Sequence, residues 1–243
     1  MDYAARVRRV EQVTEPYYHD EAAGITIYHG DCRDVLPTLP MVDLLLTDPP
    51  YGMTENSGRR LHAYRDSAKS HGRIGGSGAA QITDYGDTEW NHEPLSAQMW
   101  ESLTGLSVNQ IVWGSNHLSA VLGKSPRTLV WDKKCQNGWE DTFSDCEFAW
   151  CSSVGPDRLY RHRWIGMLRE GNEARVHPTQ KPLALLRWCL GFFPDATTIL
   201  DPFMGSGTTL RAAKDLGRKA IGIEIEERYC EIAVKRLAQE VLI

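Results

Sequence analysis

Residues 198–209 read TILDPFMGSGTT, and they carry the clearest local signal of the fold class. The apolar run 198–200 predicts a buried strand, and a turn containing Gly205 and Gly207 follows it. Residues 208–216 read as a helix after that turn, closed by Gly217. Glycines permit a tight turn and a close approach of a ligand to the backbone. This strand, turn and helix therefore form a candidate ligand-binding corner of an α/β sheet.

Further apolar runs extend the α/β pattern along the chain. Most are continuous rather than alternating, as in strands that are buried on both faces of a parallel sheet. The predicted strands are 25–29, 42–47, 110–113, 128–131, 147–150, 198–200 and 220–225. Helices are predicted after Pro182 and, near the C-terminus, as an amphipathic stripe at 229–237. Strands alternating with helices predict a doubly wound sheet in a single domain, 1–243.

Length and composition limit the function. The chain has 243 residues, of which 42% are hydrophobic and 24% are charged, so disorder over its whole length is excluded. We find neither an apolar run of the roughly 20 residues that span a bilayer nor a secretory signal, and a cytoplasmic protein is expected. The six cysteines form no C-x-x-C pair, so no metal site and no disulfide framework is predicted.

The charge is unevenly distributed. A net charge of −5 argues against a protein that coats nucleic acid through bulk charge. Basic residues are nevertheless concentrated in 59–73 and in 158–169. The first segment lies within 52–92, a stretch without a core pattern that predicts an inserted flexible loop. The second lies within 152–176, which also reads as irregular. Taken alone, both segments are consistent with solvated loops.

The motif Asp48-Pro49-Pro50-Tyr51 follows the predicted strand 42–47. Two prolines fix the backbone and remove two N–H donors, which leaves a stiff turn with a carboxylate, free carbonyl oxygens and an aromatic ring. Such a turn can accept hydrogen bonds from an amino group while the ring stacks on a planar base. The alternative is a proline loop that only ends a strand.

Two acids lie at the carboxyl ends of predicted strands, at the same edge of the sheet. Glu224 comes about 20 residues after the glycine turn, where an acid is placed to bind ribose hydroxyls. Together with the glycine turn it indicates an adenosine-containing ligand. Asp31 follows the strand 25–29 and could contact an adenine amino group, although a simple turn acid fits equally well.

The segment 177–182, HPTQKP, precedes a predicted helix. Thr179, Gln180 and Lys181 could hold the polar tail of the ligand. The alternative is a helix start with proline in the first turn.

Together, the segments 48–51, 177–182 and 201–209 resemble motifs of the S-adenosylmethionine-dependent DNA amino-methyltransferases, which modify adenine N6 or cytosine N4. The catalytic motif precedes the glycine motif, an order similar to that of the permuted β group. The resemblance covers about 25–51 and 110–243. It implies a Rossmann-like methyltransferase fold, a seven-stranded mixed sheet with helices on both faces and a circularly permuted motif order.

The resemblance also implies roles for single residues. Asp48 and the Pro49 carbonyl would accept the two N–H groups of the target amine, and Tyr51 would stack on a base flipped out of the duplex. Glu224 would hold the ribose, while Thr179 and Lys181 would reach the cofactor carboxylate. The catalytic candidates are Asp48, Pro49, Pro50 and Tyr51. The candidates for binding S-adenosyl-L-methionine are Asp31, Asp48, Thr179, Gln180, Lys181, Asp201, Phe203, Gly205, Ser206, Gly207, Thr208 and Glu224.

The implied partner is double-stranded DNA, and a homodimer could complete its recognition. The candidate DNA contacts are Arg59, Arg60, Arg65, Lys69, Arg73, Arg161 and Arg163. Within this family, an aspartate at position 48 favours adenine N6 as the target. The resemblance also implies DNA methylation in a restriction–modification system. The alternatives are a cytosine-N4 enzyme, an RNA or protein methyltransferase, an NAD-dependent oxidoreductase and an inactive DNA-binding module.

Overall fold

One twisted sheet organises the chain, and all seven predicted strands are present in it. The computed structural model describes residues 15–52, 94–135, 144–165, 168–177 and 179–239. The strands are β1 (Tyr18–Asp20), β2 (Ile25–His29), β3 (Val42–Thr47), β4 (Ser107–Trp113), β5 (Arg127–Asp132), β6 (Cys146–Cys151), β7 (Arg158–Arg161), β8 (Trp164–Ile165), β9 (Leu168–Arg169), β10 (Thr198–Asp201) and β11 (Lys219–Glu224).

The helices alternate with the strands in the second half of the chain, as predicted. They are α1 (Cys32–Val35), α2 (Ala97–Gly105), α3 (Ser119–Leu122), α4 (Leu183–Leu190), α5 (Thr208–Asp215) and α6 (Glu227–Leu237), with a short 3₁₀ helix at Leu36–Thr38. In the described residues we find no helix whose length and apolar character would let it cross a membrane.

The main sheet has the strand order β1-β2-β11-β10-β3-β4-β6-β5-β7. Neighbours from β2 to β4 in this order are parallel, whereas β1 and β6 run antiparallel to their neighbours. The mixed sheet is therefore confirmed, but the expected number of seven strands is wrong, because the described residues form nine strands in it. The two additional strands, β1 and β7, lie at the edges and are only three and four residues long.

The reading of 152–176 as irregular is also wrong in part. β7 pairs with β5 from Leu129 opposite Arg158 to Asp132 opposite Arg161. β8 and β9 then form a separate small hairpin. Arg158, Leu159 and Arg161 are exposed at the sheet edge, so this strand carries no continuous apolar run that the sequence could reveal.

The core lies on both faces of the sheet because successive residues of a strand point to opposite sides. Leu44 belongs to a buried cluster with residues of α4, α5 and α6. Its neighbour Leu45 belongs to a second cluster with residues of α1, α2 and α3. Helices on both faces are thus confirmed. Each buried leucine stabilises the fold by about 1.5–3 kcal/mol, so the central strands are held firmly in place.

Candidate active site

The carboxyl ends of four parallel strands meet at one cavity. β2, β3, β10 and β11 end beside it, and its volume of 780 Å³ lies in the range of small-molecule sites. Many of the predicted site residues line it, namely Asp31, Asp48, Pro50, Thr179, Gln180, Lys181, Asp201, Phe203, Gly205, Ser206, Thr208 and Glu224. The predicted residues Pro49, Tyr51 and Gly207 are not among the lining residues.

The glycine turn forms one wall of the cavity. Gly205 has a φ of +51° and Gly207 a φ of +73°, which L side chains rarely adopt. Gly207 also caps the start of α5, and a Cβ placed on it would lie 2.7 Å from the Cβ of Ala233 in α6. Gly207 therefore allows α6 to pack against the turn, and its contact with a ligand stays a prediction.

Asp201 ends β10 as a buried carboxylate. Its Oδ1 accepts hydrogen bonds from the Thr47 hydroxyl at 2.8 Å and from the backbone N–H of Phe203 at 3.2 Å. Burial raises the pKa of Asp201 to about 6, although these hydrogen bonds oppose the rise. The carboxylate thereby joins β3 to the glycine turn.

Glu224 ends β11 and is also buried. Its two oxygens accept hydrogen bonds from the backbone N–H groups of Gly205 at 2.9 Å and Glu226 at 2.8 Å. Burial raises the pKa of Glu224 to about 7. A carboxylate has about four lone-pair sites, so Glu224 keeps the capacity to accept hydrogen bonds from two hydroxyl groups.

Asp48 sits directly after β3, and each of its oxygens has a partner. Oδ2 lies 2.5 Å from the Lys181 Nζ, and Oδ1 accepts a hydrogen bond from the Tyr51 hydroxyl. Burial raises the pKa of Asp48, and the ammonium of Lys181 opposes that rise. The carboxylate predicted to accept an amine is therefore fixed by its own motif and by the 177–182 segment.

The Tyr51 ring, predicted to stack on a flipped base, already has an aromatic neighbour. It stacks on the exposed His117 with centroids 5.1 Å apart and an interplanar angle of 26°. A Cβ on Gly114 would lie 2.0 Å from the ring, so only glycine fits there. Sequence reasoning missed both Gly114 and His117, which belong to the loop after β4.

Lys181 lies among protein carboxylates and an aromatic ring, and its contact with the cofactor stays a prediction. Its ammonium lies 2.5 Å from Asp48 and 3.0 Å from Glu147 Oε2, and 5.8 Å from the centroid of the Trp113 ring. Burial lowers the pKa of Lys181, but the two carboxylates outweigh burial and hold that pKa well above its ordinary value. The structure thus pairs Lys181 with protein carboxylates, whereas the sequence assigned it to a cofactor carboxylate.

Glu147 was missed by sequence reasoning. It lies in β6, whose sequence CEFAWC places an acid in an otherwise largely apolar strand. A charge in such a strand is paired as a rule, and this was the available signal. A second cation, Lys133, lies 2.8 Å from Glu147 Oε1.

The amide of Gln180 is turned to the neighbouring loop. It donates to Glu173 at 2.9 Å and to the Ala174 carbonyl at 3.0 Å, and it accepts from the Val176 N–H at 2.8 Å. Gln180 therefore holds the loop 173–176 in place. A contact between Thr179 and the ligand's polar tail stays a prediction.

His177 supports the same segment. Burial lowers the pKa of His177 to about 3, so the ring is neutral. Its Nδ1 accepts a hydrogen bond from the Thr179 N–H at 3.3 Å, and the ring packs edge-on against Tyr229 with centroids 4.3 Å apart.

Asp31 caps α1, as a turn acid would. Its carboxylate accepts a hydrogen bond from the Arg33 N–H at 2.9 Å and pairs with the Arg33 guanidinium at 2.6 Å. Because Asp31 also lines the cavity, its contact with an adenine remains a prediction.

The predicted DNA contacts are only partly within the described residues. Arg161 has a side chain that is 58% exposed and lies 3.5 Å from Asp132. Arg163 is partly buried, which leaves less of it accessible. Residues 53–92 of the predicted loop lie outside the described residues. The same is true of the other five candidates, which are Arg59, Arg60, Arg65, Lys69 and Arg73.

Comparison with known sequences adds independent information. The profile of the family described as "DNA methylase" matches residues 123–235. The chain is 29% identical over 265 aligned positions to the type II methyltransferase M2.LlaDCHI of Lactococcus lactis subsp. cremoris, covering 93% of each chain. It is 28% identical to the type II methyltransferase M.ScaI of Streptomyces caespitosus, covering 93% of this chain and 84% of that protein.

Solved structures share the fold. The crystal structure of the M1.HpyAVI–SAM complex matches with a TM-score of 0.54 and 22% identity, covering 88% of this chain and all of that one. The cytosine-N4-specific PvuII DNA methyltransferase matches with a TM-score of 0.57 and 17% identity, covering 95% and 91%. The Rossmann-like α/β fold is therefore confirmed.

Proposed function

We propose that the chain belongs to the S-adenosylmethionine-dependent DNA amino-methyltransferases and that it methylates N6 of adenine in duplex DNA, which the similarity to type II methyltransferases supports. The observation that carries the proposal is the Asp48 carboxylate, fixed on a proline turn at the edge of a cavity that also holds the glycine turn and Glu224. Cytosine N4 is the other target in this family. Aspartate at position 48 supports adenine.

The cavity fits the cofactor in charge as well as in size. Its lining includes five carboxylate side chains against two cationic ones. The carboxylates are Asp31, Asp48, Asp201, Glu224 and Glu226, and the cations are Arg33 and Lys181. S-adenosylmethionine supplies an electrophilic methyl group on a positively charged sulfur, whose bond to carbon breaks with the electron pair retained by sulfur. An acidic cavity suits a ligand that carries such a charge.

The residues of the chain would divide the remaining work. Glu224 would accept hydrogen bonds from the ribose hydroxyls, and the glycine turn would let the backbone approach the ligand. Asp48 and the Pro49 carbonyl would accept the two N–H groups of the adenine amine and hold the nitrogen in place. The negative charge of Asp48 would stabilise the positive charge that develops on the nitrogen. The proton that the amine loses would pass to Asp48 or to water.

An adenine stacked in a duplex cannot enter this cavity, so the target base has to be flipped out. His117 stacks on Tyr51 in this structure. A base that stacks on Tyr51 from that side would have to displace His117. The exposed Arg161 is consistent with a contact to the DNA backbone, and a homodimer stays a prediction.

The test of the proposal is the substitution Asp48→Ala. We expect methyl transfer to duplex DNA to fall by at least about 1000-fold, because the substitution removes the principal charged acceptor of the amine. Binding of S-adenosylmethionine, measured by isothermal titration calorimetry, should change little. The control variant Asp34→Ala, which alters an acid of α1 outside the cavity lining, should keep wild-type activity. Unchanged turnover in Asp48→Ala would remove Asp48 from the mechanism.

A further inference from the structure

Four charged side chains form a continuous chain that begins at the cavity. Asp48 lies 2.5 Å from Lys181, Lys181 lies 3.0 Å from Glu147, and Glu147 lies 2.8 Å from Lys133. Only the first two line the cavity. The members are the residue after β3, a residue of the 177–182 segment, a residue of β6 and the residue after β5, so the folded sheet alone brings them together.

The Lys181 ammonium needs more than one partner. The lysine is 7% exposed, and an ammonium removed from water is stabilised only where charge and hydrogen bonds replace its hydration. Asp48 alone would leave two of its three N–H donors for other partners. Glu147 binds the ammonium as a second carboxylate, and the Trp113 ring lies 5.8 Å away. Glu147 itself is fixed by Lys133.

We propose that Glu147 is a positioning residue for methyl transfer, which holds the Lys181 ammonium beside Asp48 and so fixes the carboxylate that accepts the amine. This inference rests on the proposed function. It assigns Lys181 and Glu147 to the catalytic carboxylate, whereas the sequence motif assigned Lys181 to the cofactor. Glu147 does not line the cavity, so it acts through Lys181.

The proposal also concerns charge. Asp48 and Lys181 alone would be a neutral pair, which would weaken the attraction of Asp48 for the positive charge that develops on the amine. Glu147 pairs with the same ammonium and so offsets part of its neutralising effect on Asp48, while Lys133 in turn neutralises part of the charge of Glu147. The groups that face Asp48 and Lys181 are Tyr51, Glu147, His177 and Asp201, and His177 is neutral. Among the described residues, Lys181 therefore forms ion pairs with two carboxylates, Asp48 and Glu147.

Glu147→Gln removes the charge and keeps the shape of the side chain. We expect kcat to fall by roughly 10- to 100-fold, because displacing a reacting group by about 1 Å can cost 100-fold. The KM for S-adenosylmethionine should change by less than about threefold, since that ligand's contacts are untouched. The pH range of maximal kcat should move to lower pH, because Asp48 then lies beside a less neutralised cation and Lys181 loses an anionic partner.

Two variants serve as controls. Glu147→Asp keeps the charge on a shorter side chain and should restore much of the wild-type pH profile. Asp20→Asn breaks a different Lys–Asp pair, between Lys214 and Asp20 at 3.0 Å, which lies away from the cavity. It should leave kcat and the pH profile unchanged, which shows that loss of a comparable ion pair is not sufficient.

A second readout is independent of turnover. In protein labelled with ¹³C at lysine Cε, the Lys181 resonance, assigned through Lys181→Met, should titrate at lower pH in Glu147→Gln than in the wild type. An unchanged titration of Lys181, or a variant with lower kcat but an unshifted pH profile, would overturn the positioning role. If wild-type protein binds cofactor but methylates no DNA, the proposed function fails, and the Lys181 titration still decides whether Glu147 controls this ammonium.

Discussion

At the scale of single residues, the site depends on carboxylates that are buried and yet have partners. Asp201 and Glu224 are held by backbone N–H groups or hydroxyls, and Asp48 by an ammonium. The sequence predicted these three acids because each lies at the carboxyl end of a predicted strand. It did not predict their partners. Lys181 and Glu147 are separated by 34 positions with no regular spacing between them, and only the order of strands brings them together.

The burial of Glu224 should make the free energy of unfolding depend on pH. Its pKa of about 7 in the folded protein exceeds the ordinary value of 4.5, so the folded state binds the proton more tightly than the unfolded state. The stability that results is fully present below pH 4.5 and is lost as the pH rises through about 7. Relative to the wild type, cofactor-free Glu224→Gln should therefore gain on the order of 2 kcal/mol of unfolding free energy between pH 5 and pH 8.

Urea unfolding of both proteins at the two pH values measures this difference. His177 works in the opposite direction, because it is neutral when folded and charges in the unfolded chain below its ordinary pKa of 6.5. It is present in both proteins, so its contribution cancels in the comparison. A difference between Glu224→Gln and the wild type that is the same at pH 5 and pH 8 would refute the burial argument.

At the scale of elements, the glycine turn connects α5 and α6 to the cavity. The sequence predicted the strand before the turn and the helix after it, because their apolar patterns and glycines are local signals. It did not predict that Gly207 makes room for Ala233, since α6 begins 20 residues later. The edge strand β7 escaped prediction for a related reason, namely that exposed Arg158 and Leu159 give it no buried pattern.

This packing can be tested with a pair of glycines. Gly207 and Gly217 both have positive φ values, of +73° and +67°, so alanine costs about 1–2 kcal/mol of backbone strain at either position. A Cβ at Gly207 would also overlap Ala233, whereas a Cβ at Gly217 would meet no atom within 4 Å. Gly207→Ala should therefore lose about 1–3 kcal/mol more unfolding free energy than Gly217→Ala.

Urea unfolding of the two alanine variants provides that comparison. Equal losses would mean that α6 moves away from the turn at little cost, and the role assigned to Gly207 would be wrong. The double variant Gly207→Ala/Ala233→Gly should recover part of the additional loss, because it removes the atom nearest to the new Cβ, while a glycine inside α6 costs about 0.5–1 kcal/mol.

At the scale of the whole molecule, the order of the sheet explains why distant motifs form one site. β3 and β10 are neighbours, and β11 and β2 follow on one side. Asp48, Asp201, Glu224 and Asp31 therefore come to the same edge although they are spread over most of the chain. The sequence predicted the α/β class, seven strands and this edge. It could not predict that β6 lies antiparallel between β4 and β5, and this position of β6 brings Glu147 into contact with Lys181.

An assay of the product tests directly whether the protein methylates N6 of adenine in duplex DNA. Purified wild-type protein is incubated with S-adenosylmethionine and unmethylated duplex DNA, the DNA is digested, and the nucleosides are identified by mass spectrometry. We expect N6-methyladenine with the wild type and none when Asp48→Ala replaces it. N4-methylcytosine in its place would contradict the assignment of the base, and the absence of any methylated nucleoside from protein that binds the cofactor would contradict the proposed reaction on DNA.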